Sequence, residues 1–323
     1  MRRARWLVIS NNRSLKPVLF HCISRVVDRR FVFAERECKA FRMFMRMYEN
    51  FSGCRVLSYC VMSNHFHLLL EVPPMPVGGL ADEELLKRLS ALYSEAFVAG
   101  VAKELVEARE GSSKLGVAED DSLGEARVAE IHARTGTLWE ERFKSVTVES
   151  CVAARTMAAY IDLNPVRAGM VTDPANYRWS SYGEAVGGGA KGNGKKAREG
   201  LVRVYFCEQG VGFGVGKKPG LTPVPQVAKG LGQTTKNTAE LLASEDNETV
   251  LKNLRMAKLL RCRIRYFTDG AMIGSKEFVN EAFAGARERF GSKRKDGARK
   301  MRGAGAGTNG ILWSLRDLQK GHA

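Results

Sequence analysis

The sequence lacks any C-x-x-C pair, and its seven cysteines (Cys22, Cys38, Cys54, Cys60, Cys151, Cys207 and Cys262) are odd in number and scattered. That spacing argues against both a zinc cluster and a disulfide framework, and it suits small buried thiols in a reducing compartment. Long apolar spans are missing too, as are an acylation signal and a signal-peptide core, because the basic start Met1–Arg5 runs straight into mixed sequence. The expectation is a cytoplasmic protein with no membrane partner. Internal repeats are absent as well.

Negative charge is in short supply. Lys and Arg number 51 against 35 Asp and Glu, a formal charge of +16 with a pI near 9.7. A balance of this sign suits a polyanion, and nucleic acid is the first candidate. With 44% hydrophobic residues the chain can bury a sizeable core, and 323 residues allow two modest domains or one domain with a large appendage.

What is present centres on residues 55–72, R-V-L-S-Y-C-V-M-S-N-H-F-H-L-L-L-E-V. Two β-rich runs flank the turn-forming pair Ser63-Asn64, which predicts an antiparallel hairpin. Side chains alternate across a strand, so His65 and His67 share one face while Phe66, Leu68 and Leu70 point into a core on the other. Two neutral imidazoles on one rigid strand make a bidentate metal-ligand pair with open positions for oxygen ligands. Taken alone, the pair fits equally a packed or solvated sheet edge. Of the other histidines, His132 lies in a polar stretch, His322 in the tail and His21 in a predicted strand, where a hydrogen bond within the sheet is the preferred role.

In chain order, Pro17–Val26 predicts the first strand and Glu35–Asn50 an amphipathic helix. The hairpin follows. Asp82–Glu110 predicts one long helix, residues 111–137 an acidic loop with a short helix, and R-F-K-S-V-T-V at 142–148 a fourth strand. A helix from Ser150 to about Leu163, capped by Glu149-Ser150, closes where Pro165 pushes Asn164 out of the helical region. The β-α-β-β-α-β order followed by a helix is the ferredoxin-like split motif in an α+β fold: an antiparallel sheet with one face under two helices and the other free to carry a site.

A second informative stretch is Y-I-D-L-N-P-V-R-A-G-M-V at 160–171. Tyr160 and Asn164 stand four apart, one helical turn from each other on the same face. A phenol is a poor nucleophile at its free pKa of ~10, but a divalent ion on the target phosphate would neutralise charge and position the phosphorus. Together H-C-I-S-R, C-V-M-S-N-H-F-H-L-L-L-E-V, L-W-E-E-R-F-K-S-V, this stretch and Y-R-W-S-S-Y at 177–182 resemble the REP-associated tyrosine transposases, a single-tyrosine branch of the HUH nucleases. The resemblance runs in order from Pro17 to Tyr182. It implies His65 and His67 as a metal pair for Mg²⁺ or Mn²⁺, Asn164 completing that site, and Tyr160 as nucleophile. It further implies nicking of single-stranded DNA beside a hairpin, with a 5′-phosphotyrosine and a free 3′-hydroxyl. A homodimer is left open.

The segment 73–134 is longer and more acidic than the resemblance would suggest. Residues 187–200, rich in Gly and Lys, read as a linker between a catalytic region, 1–186, and an accessory region, 201–323. In the accessory region, 239–242, 248–260 and 276–290 predict helices, 264–268 a short strand, and the tail disorder. A mainly helical, DNA-gripping appendage is expected there, one the catalytic core could lose without losing its chemistry. Two other functions stand beside the transposase reading. One is a non-catalytic binder of structured nucleic acid that stacks bases on Trp179 and Tyr182; the other is a zinc hydrolase, which leaves Tyr160 without a role.

Overall fold

A computed structural model of the chain describes residues 16–74, 79–109, 139–140, 143–186, 194–205, 265–268, 270–290, 294–301 and 312–315. Strand β1 (Val18–Arg25) leads to helix α1 (Glu35–Ser52), the hairpin β2 (Arg55–Val61) and β3 (His65–Val72), and helices α2 (Asp82–Leu89) and α3 (Glu95–Arg109). Strand β4 (Lys144–Val148) follows, then α4 (Val152–Asp162), the short turn α5 (Asn164–Arg167), α6 (Ser181–Val186) and α7 (Lys195–Tyr205). Late in the chain come α8 (Arg265–Thr268), β5 (Met272–Gly274), α9 (Lys276–Gly285), β6 (Arg299–Lys300) and β7 (Trp313–Leu315).

The protein is thus α+β, with a seven-stranded, mostly antiparallel sheet in the order β2-β3-β1-β4-β5-β7-β6. The first four strands are antiparallel neighbours in the split-motif order that the sequence predicts. The turn forms at the predicted pair: Met62 N–H donates to the His65 carbonyl across Ser63 and Asn64 at 2.8 Å. Helix α1 ends at Gly53, whose φ of 69° is the left-handed cap that glycine adopts without penalty.

The two faces are shared out differently from the expectation. Phe41 of α1 meets Phe66 of β3 at 4.8 Å between ring centroids, so α1 covers the Phe66/Leu68 face. Helix α4 lies on the opposite face, where Tyr160 approaches both His21 and His67. The histidine face is therefore covered, not open, and of the pair His67 is buried at 3% exposure.

Several elements depart from the sequence reading. The stretch 82–110 splits into two helices at 90–94, where Ser90 Oγ donates back to the Lys87 carbonyl and Ser94 Oγ accepts from Phe97 N–H, the serine chemistry that ends one helix and starts another. Glu149 does not cap α4. Its carboxylate is taken by Ser275, through the backbone N–H at 2.6 Å and the hydroxyl at 2.9 Å. Residues 265–268 are helical instead of extended, because packing of Phe267 at 2% exposure outweighs local β-propensity. Helix α7 begins at Lys195 inside the stretch read as linker, and α9 stops at Gly285. The predicted helices at 239–242 and 248–260, residues 187–193, and His132 and His322 lie outside the described residues.

The described parts of 201–323 are not helical alone. Strand β5 pairs parallel with β4, and β7 and β6 continue the sheet from it. Towards the other end of the sheet, Glu71 of β3, buried at 4% exposure, takes two donors from Arg203 of α7.

Candidate active site

The hairpin delivers the histidines and α4 delivers the tyrosine. Ring centroids of His65 and His67 are 5.1 Å apart, those of His67 and Tyr160 5.7 Å, and those of His21 and Tyr160 6.0 Å. The three predicted residues His65, His67 and Tyr160 therefore meet in one cluster. Asn164 begins the next helical turn, where Pro165 fits without a missing N–H bond. Its Oδ1 accepts from Arg167 at 3.3 Å, and the Arg167 guanidinium lies 4.9 Å from the Tyr160 ring centroid. The Asn164 side-chain N–H₂ is buried without a hydrogen-bond partner, a donor suited to a phosphate oxygen.

Burial sets the charge state of the imidazoles. Desolvation pulls His65 down to about 4, with Arg25 adding to the effect. His67 is held well below its ordinary range, first by burial and then by repulsion from His21, His65 and the nearby arginines. Both rings are neutral near pH 7, the form that binds metal. For His65 the tautomer follows from geometry. Its Nδ1 lies 2.6 Å from Asn64 Oδ1, an atom that only accepts, so Nδ1 carries the proton and Nε2 keeps its lone pair.

His65 and His67 supply two neutral imidazoles of the kind a divalent ion takes, while the Oδ1 of Asn164 is engaged by Arg167. Among the described residues no three His, Cys, Asp or Glu side chains are grouped to hold a metal, so further ligands would come from Asn164 and from substrate.

The sequence reading left several neighbours out of the site. Phe267 stacks on Tyr160 at 4.4 Å and 15°, and both rings are nearly inaccessible, Tyr160 at 3%. No local pattern flags a phenylalanine so far along the chain. Arg167 was legible, since it follows Asn164 at helical spacing in N-P-V-R. Asp162, two residues beyond Tyr160 and buried, is raised to about 7 by desolvation against the opposing pull of Tyr182 N–H and the Ser58 hydroxyl. Trp179, a base-stacking residue of the binding-only alternative, is buried at 8% exposure with Arg42 and Arg178 against its ring.

The family model described as "Transposase IS200 like" matches residues 14–78. No curated protein matches. A solved structure of a REP-associated tyrosine transposase bound to a REP hairpin aligns at 14% identity with a TM-score of 0.33, covering 59% of this chain and 88% of that one. The matched stretch holds β1, α1, the hairpin and three of the clustered side chains, His21, His65 and His67; over residues 14–78 the chain is similar to the IS200-like transposases.

Proposed function

We propose that this protein is a metal-dependent DNA transposase that nicks and rejoins single strands at hairpin sites through Tyr160. The observation that carries the reading is the meeting of His65, His67 and Tyr160 in one cluster, the two histidines lying on the segment that matches the transposase family model. His65 and His67, with Asn164, would hold Mg²⁺ or Mn²⁺; when bound, the ion would neutralise phosphate charge and polarise the scissile group.

The chain's own residues do the rest. The Tyr160 oxygen attacks phosphorus and gives up its proton, the bond from phosphorus to the 3′-oxygen breaks, and that oxygen takes up a proton. The products are a 5′-phosphotyrosine and a free 3′-hydroxyl, and attack by a 3′-hydroxyl on the phosphotyrosine rejoins a strand. Arg167, beside the phenol ring, and the unpartnered Asn164 amide supply positive charge and a donor for phosphate oxygens. With Tyr160 at 3% exposure, strand entry requires displacement of a covering group, and Phe267 is the ring that lies on it. In this reading residues 1–186 hold the reacting groups, 187–200 connect, and 201–323 supply part of the cover.

The test is to incubate the full chain with Mn²⁺ and hairpin-bearing single-stranded DNA and to ask whether the released 3′ end primes a polymerase. Extension is expected for the native protein and none for Tyr160→Phe. The burial of Tyr160 favours a second reading, a descendant that grips structured DNA without cutting it. That reading gains if hairpin affinity is the same in EDTA and no 3′ end is ever released.

A further inference from the structure

Phe267 contributes its carbonyl to the site as well as its ring. His21, fully buried in β1, places Nδ1 2.9 Å from the Phe267 carbonyl oxygen and Nε2 3.0 Å from Nδ1 of His67. The two imidazoles stack at 14°. A carbonyl oxygen can only accept, so the proton of neutral His21 is on Nδ1 and its Nε2 is an acceptor. The proton between the rings then belongs to His67 Nδ1.

We infer that His21 is a positioning residue: held by the Phe267 carbonyl, it fixes His67 in the Nδ1–H tautomer, so that the Nε2 lone pair of His67 is the one presented for metal. The inference rests on the reading of His65 and His67 as a metal pair. A ligating histidine commonly donates its other ring N–H to an oriented acceptor, which fixes the tautomer and raises the basicity of the ligating nitrogen. In that arrangement the acceptor is usually a carboxylate or a carbonyl; here a second imidazole relays a backbone carbonyl from 246 residues away. His65 is fixed the same way by Asn64 Oδ1, so both members of the pair offer Nε2. The relay also gives a late segment of the chain a part in the metal chemistry, through the backbone carbonyl of Phe267 and not through its ring.

Long-range ¹H–¹⁵N correlation spectra of the full chain, labelled in histidine and kept in EDTA, read the tautomers directly. Peaks can be assigned with His21→Gln, His65→Gln and His67→Gln. In the native protein His67 is expected as Nδ1–H with a bare Nε2, and His21 as Nδ1–H. His21→Leu should turn His67 into a mixture of tautomers, whereas His21→Gln, whose side-chain carbonyl can accept from His67, should restore the Nδ1–H form. Mn²⁺ affinity followed by electron paramagnetic resonance should fall about 10- to 100-fold in His21→Leu and recover in His21→Gln.

A native His67 carrying its proton on Nε2 would overturn the inference whether or not the variants fold. So would an unchanged His67 in a His21→Leu protein with native near-ultraviolet dichroism. Tautomers that behave as expected without Mn²⁺ binding would uphold the relay and sink the metal reading instead.

Discussion

Asp162 shows how a single buried side chain sets a pH window. Its carboxyl is near 3.8 in an unfolded chain and about 7 when buried. Below 3.8 both states are protonated and the fold loses nothing. As pH rises towards 7 the unfolded carboxyl ionises first, so stability drains away between those values and stays lower above them. His65 runs the other way, since its folded value of about 4 against 6.5 unfolded keeps stability above 6.5 and loses it on acidification. Comparing variants separates the two. In EDTA, the melting temperature of Asp162→Asn minus that of the native protein should grow from pH 4 to 7 and then level off; a difference that does not change with pH would refute the burial argument. At the same scale, H-F-H and Y-x-x-x-N were legible in the sequence because strand and helix periodicities put them on faces. The burial of His67 and Tyr160 was not, because the rings that cover them come from His21 and Phe267, and no local period links those positions.

Two elements carry predictions of their own. Helix α7 brings Arg203 to Glu71, which is buried on β3 with the exposed Arg55 as a further cation at 3.8 Å. Removing one partner of such a pair leaves an uncompensated charge and costs ~3–5 kcal/mol. Urea unfolding of Arg203→Met should show a loss of that order, tempered by Arg55; a loss under ~1 kcal/mol, as for a surface pair, would mean that water reaches Glu71. Helix α1 lines a groove in which Arg36, Lys39, Arg42 and Arg46 face Lys195 and Lys196 of α7, with Arg46 paired to Glu184 and Glu49 and Lys196 to Glu49. Phe44 and Tyr48 are exposed on the same helix. If the proposed DNA chemistry holds, this groove would take phosphates of the strand. Arg36→Gln with Lys39→Gln should reduce the slope of log affinity against log salt by about 1.4 for single strands, ~0.7 per lost phosphate contact. An unaltered slope would move the DNA elsewhere. Glu149 shows why caps were misread: it stands where a cap belongs, yet a serine beyond residue 270 claims its carboxylate.

At the scale of the whole molecule, the sheet joins what composition separates. The glycine- and lysine-rich stretch reads as a tether, and the residues beyond it read as an appendage. Their described parts nonetheless extend the sheet from β4, pair Glu71 and cover Tyr160. The antiparallel four-strand order was legible because each strand has a local pattern. Strands of two or three residues such as β6 and β5 have none, and pairing alone defines them. A chain ending at Gly188 should therefore expose the β4 edge and leave Glu71 without Arg203, and it should bind a hydrophobic dye and lose its near-ultraviolet dichroism. A cooperative, native-like melt from that fragment would show that the core stands alone. The central claim is that Tyr160 is a metal-assisted nucleophile towards DNA. Peptide mapping by mass spectrometry after reaction with Mn²⁺ and a single-stranded hairpin tests it most directly. The account predicts a nucleotide adduct on the peptide containing Tyr160, absent in EDTA and in Tyr160→Phe. An adduct on any other residue, or one that persists in Tyr160→Phe, would contradict it.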